Sequence, residues 1–236
     1  MMDPMTQHKQ VSDTESRSVG ALINWPRRYK LLTDVYCLGR ADRMTRYFAE
    51  TAGVRPGDRA IDIGCGPGRL ANELARQAQP GGRAIGVDPS PQMIGYAAAH
   101  AAPGCTFELA AAQSVSLPDA SFDVATSTFA MHHIAEDARK DALVNVFRML
   151  RPGGRLLLAD THPGGGLRGL AIKGMAHLAA HRSGQGHSHD HGDGHDRMAA
   201  VDVRGYRDVL AEIGFTAIEF RTGPYSTGIL TAVKPG

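Results

Sequence analysis

Residues 59–70, Arg-Ala-Ile-Asp-Ile-Gly-Cys-Gly-Pro-Gly-Arg-Leu, restrict what this chain can become more than any other stretch. Ala60, Ile61 and Ile63 form a short apolar run rich in β-branched residues, which suits a strand buried on both faces. Gly64, Gly66 and Gly68 follow at alternate positions, where they permit positive φ and close backbone approach to a ligand. From Arg69 the pattern turns helical, with Leu70, Leu74 and Ala78 spaced for one face. Strand, glycine turn and helix start together predict a nucleotide-binding crevice at a strand's carboxyl end, lined by backbone N–H groups.

The spacing narrows the nucleotide. A dinucleotide fingerprint needs a small residue at the position taken here by Arg69, and no Gly-Lys-Ser/Thr follows for a phosphate loop. An acid, Asp62, instead stands two positions before the first glycine, where it would repel a pyrophosphate and suit a cationic ligand. A second acid, Asp88, ends the next apolar run, Ala84-Ile85-Gly86-Val87, and can accept hydrogen bonds from both hydroxyls of a ribose. Two carboxylates, a glycine turn and no phosphate-binding lysine favour S-adenosylmethionine over NAD or ATP.

These blocks resemble the class I S-adenosylmethionine-dependent methyltransferases. The likeness is carried by Asp-Ile-Gly-Cys-Gly-Pro-Gly at 62–68, Gly-Val-Asp-Pro-Ser at 86–90 and Leu-Pro-Asp-Ala-Ser-Phe-Asp-Val at 117–124. Met-His-His-Ile at 131–134 and Met-Leu-Arg-Pro-Gly-Gly-Arg-Leu-Leu-Leu at 149–158 continue it. It is strong over about residues 50–160 and weak elsewhere, and the nearest flavour is that of the quinone-biosynthesis C-methyltransferases.

Composition agrees with a soluble small-molecule enzyme. The 236 residues suffice for one full core, and a net charge of +2 without a basic–aromatic cluster gives no sign of nucleic acid as a partner. No apolar run is long enough to span a bilayer. Cys37, Cys65 and Cys105 are odd in number and lack CxxC spacing, which suits a reducing cytoplasm.

In chain order, residues 1–18 read as a disordered leader and 19–236 as a single methyltransferase domain. Trp25, Tyr29, Leu32 and Tyr36, then Ala41, Met44, Tyr47 and Phe48, fall at helical spacings, with Pro26 at a helix start. Two helices are therefore expected within 19–53. The resemblance implies that they form a lid lining the substrate pocket with Trp25, Tyr29 and Tyr36; alternatively the aromatics only cover the sheet edge. Alternating elements then predict a doubly wound α/β fold with strands near 59–63, 83–88, 105–109, 122–127 and 154–160. Helices are expected near 69–78, 91–101 and 137–150, the last stopped by Pro152-Gly153-Gly154. A helix at 203–213 and strands near 215–220 and 227–233 complete a mainly parallel, seven-stranded sheet ending in an antiparallel hairpin.

The resemblance also implies site roles. The Gly64-Cys65-Gly66 backbone would contact the methionine portion, with Gly68 in the same turn and Asp62 near the ammonium group. Asp88 and Pro89 would lie at the ribose, Met93, Ala112 and Gln113 around the adenine, and Thr128 at the end of the fourth strand. Relatives often place an acid where this chain has Ala111; Gln113 can supply a side-chain oxygen in its stead. His132 and His133 follow the fourth strand and are candidates to deprotonate an acceptor, or else to brace the neighbouring loop. His162 is a weaker candidate at the same edge.

Residues 162–200 exceed the minimal fold. Leu167 to Ala180 has the spacing of a helix, and beyond it His187, His189, His191 and His195 alternate with glycines and acids. Such a stretch can ligate Zn²⁺ or Ni²⁺, although its spacing defines no one tetrahedral site. The leading expectation is methyl transfer to O, N or C of a small, apolar or aromatic metabolite. The alternatives are a metal-binding or regulatory protein that keeps the fold without turnover, and a metal or metalloid methyltransferase.

Overall fold

The computed structural model describes residues 24–161 and 202–236. The expected leader, His162 and the histidine-rich insertion lie outside the described residues. Two helices come first, α1 (Pro26–Tyr36) and α2 (Ala41–Ala52). Strands and helices then alternate: β1 (Arg59–Ile63), α3 (Arg69–Gln77), β2 (Arg83–Asp88), α4 (Pro91–Ala99), β3 (Cys105–Leu109), β4 (Phe122–Thr128), α5 (Glu136–Met149) and β5 (Leu150–Thr161). After the undescribed stretch come α6 (Tyr206–Ile213), β6 (Thr216–Gly223) and β7 (Thr227–Val233).

The seven strands form one sheet in the order β3-β2-β1-β4-β5-β7-β6. β1 to β5 are parallel, and β7 runs antiparallel between β5 and β6. The order reverses between β1 and β4, which opens a crevice at their carboxyl ends. Strand alternation builds two cores. Leu156 and Leu158 join Ile61, Phe122, Leu143 and Leu210 on one face, while Leu157 joins Leu74, Val124 and Phe48 on the other. Removing one such fully buried leucine side chain costs about 2–5 kcal/mol.

Local chemistry sets most boundaries. Pro26 and Pro91 open α1 and α4, where the missing N–H is no loss, and the Ser90 hydroxyl accepts from Met93 N–H at 3.3 Å. Gly53 and Gly214 end α2 and α6 in the left-handed region. The junction of α5 and β5 differs from expectation. α5 stops at Met149, before Pro152-Gly153-Gly154, and Leu150 already pairs with Phe122. Lys234 Nζ donates to the carbonyls of Phe147 and Leu150 at 2.8 and 2.7 Å, so the helix end is satisfied without a loop. Pro152 then falls where the β4–β5 register shifts, a place in a sheet that tolerates proline. Similarly, residues 203–205 form a separate 3₁₀ turn before α6.

Candidate active site

The glycine turn is held by its neighbouring strand. Gly64 and Cys65 donate to the Val87 carbonyl at 2.8 and 3.0 Å, and Gly66 N–H donates to an Asp88 carboxylate oxygen at 2.9 Å. The other Asp88 oxygen accepts from Ser90 N–H at 2.9 Å, so this acid is fixed at the crevice mouth before any ligand arrives. All three glycines have positive φ, but their surroundings differ. A Cβ at Gly64 would lie 2.3 Å from that of Ala130, and one at Gly68 would lie 2.7 Å from the Phe107 ring. At Gly66 nothing stands within 4 Å: the turn leaves an open cradle there that any side chain would fill.

Asp62 is buried beneath this turn, where the Thr126 hydroxyl donates to it at 2.7 Å. Burial raises its pKa to about 7, opposed by the Thr126 bond and reinforced by the charge of Asp88. A neutral pocket would keep this acid half protonated; a bound cation would ionise it. Burial also raises Asp88, against its two backbone donors. The Cys65 thiol is driven well above its ordinary range by burial, which rules against a nucleophilic thiolate.

A cavity runs from the glycine turn to the N-terminal helices, lined by Asp62, Gly64 and Gly66, by Thr128 and Phe129, by Phe48 of α2, and by Tyr29, Lys30 and Thr33 of α1. Phe129 holds a positive φ of 53° while its N–H donates to Ala159, and its ring meets Phe48 edge-on at 6.0 Å. A non-glycine residue in that conformation is strained, and such residues concentrate at functional sites. Arg69, the first residue of α3, sends one guanidinium nitrogen to both oxygens of Asp34 on α1, at 2.6 and 2.8 Å, and another to within 3.5 Å of Asp42 on α2. The residue that excluded a dinucleotide therefore ties both N-terminal helices to the turn.

His132 and His133 lie on a 3₁₀ turn just beyond β4. Nδ1 of His132 is 2.9 Å from each oxygen of Asp160 at the end of β5. An ionised carboxylate only accepts, so Nδ1 carries the proton and Nε2 presents the lone pair. His133 stacks obliquely on His132 with centroids 4.1 Å apart, and burial, followed by the neighbouring His132, lowers its pKa to about 4. Tyr29 senses both Asp88 and Asp160: burial raises its phenol to about 12, with the charges of these two acids both contributing.

The remaining expected residues are spread around this centre. Met93 is buried under the Ser90 cap and Pro89 is half-buried beside Asp88. Ala112 packs in the core and its carbonyl accepts from Asn145 at 3.0 Å, while Gln113 is half-buried next to it. Trp25 is exposed, its ring tilted against Tyr29 at 6.3 Å, so Tyr29 reaches the cavity and Trp25 lies outside it. The described structure of Tyr36 extends to its backbone as the last residue of α1. No group of three or more His, Cys, Asp or Glu able to hold a metal exists among the described residues; His187, His189, His191 and His195 are outside them.

Asp160, Arg69, Thr126 and Phe129 are the site residues the sequence reading missed. Asp160 had a signal: it ends an apolar strand just as Asp88 does.

A family model described as a methyltransferase domain matches residues 60–154, from β1 into β5. The demethylmenaquinone methyltransferase of Symbiobacterium thermophilum is 34% identical over 137 residues, which cover 56% of this chain and 54% of that protein. The ubiquinone/menaquinone biosynthesis C-methyltransferase UbiE of Ectopseudomonas mendocina is 33% identical over 138 residues, covering 56% of this chain and 53% of that one. The chain thus spans about half the length of these curated relatives. A S-adenosylmethionine-dependent methyltransferase structure from Aquifex aeolicus superposes with a TM-score of 0.65 at 16% identity, over 89% of this chain and 98% of that one, a likeness of fold. Matched blocks, strand order and crevice agree: residues 60–154 match a methyltransferase domain, the fold is like that of an S-adenosylmethionine-dependent methyltransferase structure, and over about half its length the chain is similar to quinone C-methyltransferases.

Proposed function

We propose that the chain transfers a methyl group from S-adenosylmethionine to a small apolar or aromatic acceptor bearing an acidic proton, with His132 as the base. The observation that carries this reading is the contact between His132 and the buried Asp160 carboxylate beside the donor crevice. The donor supplies an already activated methyl carbon, so the protein must align the acceptor, exclude water and remove one proton. The open cradle at Gly66 suits the methionine portion, Asp62 its ammonium group, and Asp88 the ribose hydroxyls. Met93, Pro89, Ala112 and Gln113 would surround the adenine. Tyr29, Thr33 and Phe48 would form the acceptor's wall, with α1 and α2 as a cover.

A phenol, a hydroquinone or a carbon made acidic by such a ring suits the partly aromatic lining given by Tyr29, Phe48 and Phe129. The names of the two quinone methyltransferase relatives point the same way. Free Cys37, Cys65 and Cys105, all buried, suit a reducing compartment such as the cytoplasm and ill suit capture of a thiophilic metalloid. A Zn²⁺ or Ni²⁺ role at His187–His195 rests on sequence; chelator treatment that leaves donor binding and turnover unchanged would remove it.

Calorimetric titration with S-adenosylmethionine and S-adenosylhomocysteine tests the donor half, followed by radiolabelled methyl transfer to a panel of quinols, phenols and amines. Micromolar binding weakened by Asp88→Asn, with transfer to an aromatic acceptor, supports the reading. Absence of binding by the native chain would leave the fold with another task, the metal-binding or regulatory alternative.

A further inference from the structure

Helix α1 is inverted with respect to the solvent. Its polar residues Tyr29, Lys30 and Thr33 line the cavity, whereas Leu31, Val35 and Leu38 are 63%, 55% and 68% exposed. Leu31 and Val35 fall at i and i+4 on the outward side, with Leu32 beside them, Leu38 just past the helix end and Trp25 at its start. Of the seven exposed large apolar side chains among the described residues, five belong to this helix or its two flanks. An amphipathic helix ordinarily turns its apolar stripe to the core. Here the opposite side faces the protein, and the stripe requires something outside it.

Charge identifies what. Residues 24–46 contain six cations, Arg27, Arg28, Lys30, Arg40, Arg43 and Arg46, against two acids, Asp34 and Asp42. Both acids are engaged by Arg69. Arg27, Arg28, Arg40 and Arg43 have no ion-pair partner among the described residues. Arg27 and Arg28 precede Leu31 and Leu32 by one turn, so guanidinium and leucine share the outer surface. A second copy would set these cations against themselves. The chain's own apolar stretch 167–180 carries Arg168 and Lys173 and no acid, so it fails to complement them as well. A bilayer with anionic headgroups offers negative charge at its surface and hydrocarbon just below, the two environments this face needs.

We propose that the outer face of α1 docks on an anionic lipid bilayer, with Leu31, Val35 and Leu38 entering the headgroup boundary and the arginines pairing with lipid phosphates. Docking there would set the wall of the cavity, through Tyr29 and Thr33, directly over the membrane from which an apolar molecule could enter. The docking itself does not depend on which reaction the cavity performs.

Vesicle flotation of the full chain tests it, using phosphatidylcholine alone and phosphatidylcholine mixed with phosphatidylglycerol. The native chain is expected to float with the anionic vesicles, to do so less as salt rises, and to remain behind with the neutral ones. Leu31→Gln/Val35→Gln and, separately, Arg27→Gln/Arg28→Gln should each weaken partitioning about tenfold or more with the thermal melt unchanged. The charge variant keeps the test decisive if the apolar variant fails to fold. Failure of the native chain to bind anionic vesicles overturns the proposal, as does binding that survives both double substitutions. A native dimer that the Leu31→Gln/Val35→Gln change dissolves, without vesicle binding, would assign the face to a second copy instead.

Discussion

His132 Nδ1 lies 2.9 Å from both oxygens of Asp160, a residue 28 positions later on the neighbouring strand. The contact exists because β4 and β5 are parallel neighbours in register, with Thr128 opposite Ala159, so the residues just past β4 and at the end of β5 share one edge. The carboxylate fixes the imidazole's tautomer and orientation and stabilises the charge it would gain on taking a proton.

Replacing Asp160 with Asn should therefore lower kcat by about 10²–10⁴-fold, the range expected for losing general-base catalysis. His132→Ala should match it, whereas His133→Ala should stay within about tenfold. Equal losses in kcat and kcat/KM across acceptors would mark the proton step.

Acid sensitivity should trace to His133. Its folded pKa, about 4, lies below the ordinary 6.5, so the unfolded chain binds more protons between these values. This stability is present above about pH 6.5 and is lost as pH falls towards 4. Urea unfolding of His133→Phe, compared at pH 7 and pH 5, should show a smaller loss than the native chain shows.

Asp62 acts with the opposite sign. Its pKa rises from 3.8 to about 7 on folding, so the folded chain holds a proton that the unfolded one has released, and stability declines as pH climbs through this window. Cofactor-free Asp62→Asn should melt higher than the native chain at pH 8 and bind S-adenosylmethionine at least about tenfold more weakly. Because a bound ammonium group ionises the acid, binding by the native chain near pH 6.5 should release protons. Calorimetry in buffers of different ionisation enthalpy measures that release.

Gly66→Ala and Gly64→Ala separate binding from folding. At Gly66 the cost is the left-handed backbone alone, about 1–2 kcal/mol, since nothing stands within 4 Å of the new methyl group. That variant should fold and lose donor affinity. At Gly64 the methyl would meet Ala130 at 2.3 Å, so solubility and melting temperature should fall together.

Arg69→Lys should loosen the cover. A lysine cannot reproduce the guanidinium's reach to Asp34 and Asp42 together. Limited proteolysis should cut near residues 37–40 sooner in Arg69→Lys, and added S-adenosylhomocysteine should slow that cutting less than in the native chain.

Much of the fold was legible because strand, turn and helix signals are local. Ala60 to Ile63, Gly64 to Gly68 and the Asp88 strand end each announce their own geometry within a few residues. The α5–β5 junction was not, because its carbonyls are satisfied by Lys234, more than eighty positions along. The glycine turn and the acid at the end of β2 were legible for the same reason as the strands. The His132–Asp160 contact depends on which strands become neighbours, and the Arg69 contacts depend on where α1 settles. Trp25, Tyr29 and Leu32 looked like one stripe in the sequence; the structure divides them, with Tyr29 inward and the other two exposed. Helical spacing shows that a face exists and leaves open which way it turns.

β7 lies between β5 and β6, so the sheet closes only when its last strand is in place. The Tyr225 hydroxyl, on the turn leading into β7, donates to the Cys37 carbonyl at 3.2 Å, just past the end of α1. In a chain emerging from the ribosome, the Arg69–Asp34 anchor of α1 can form well before the Tyr225 contact, which waits until residue 225 has been synthesised. Parallel pairing of β1 to β5 can begin earlier as well, whereas the Tyr225–Cys37 contact spans 188 positions. Vectorial synthesis thus makes the crevice between β1 and β4 the early part of this molecule and the Tyr225 clasp on α1 its last.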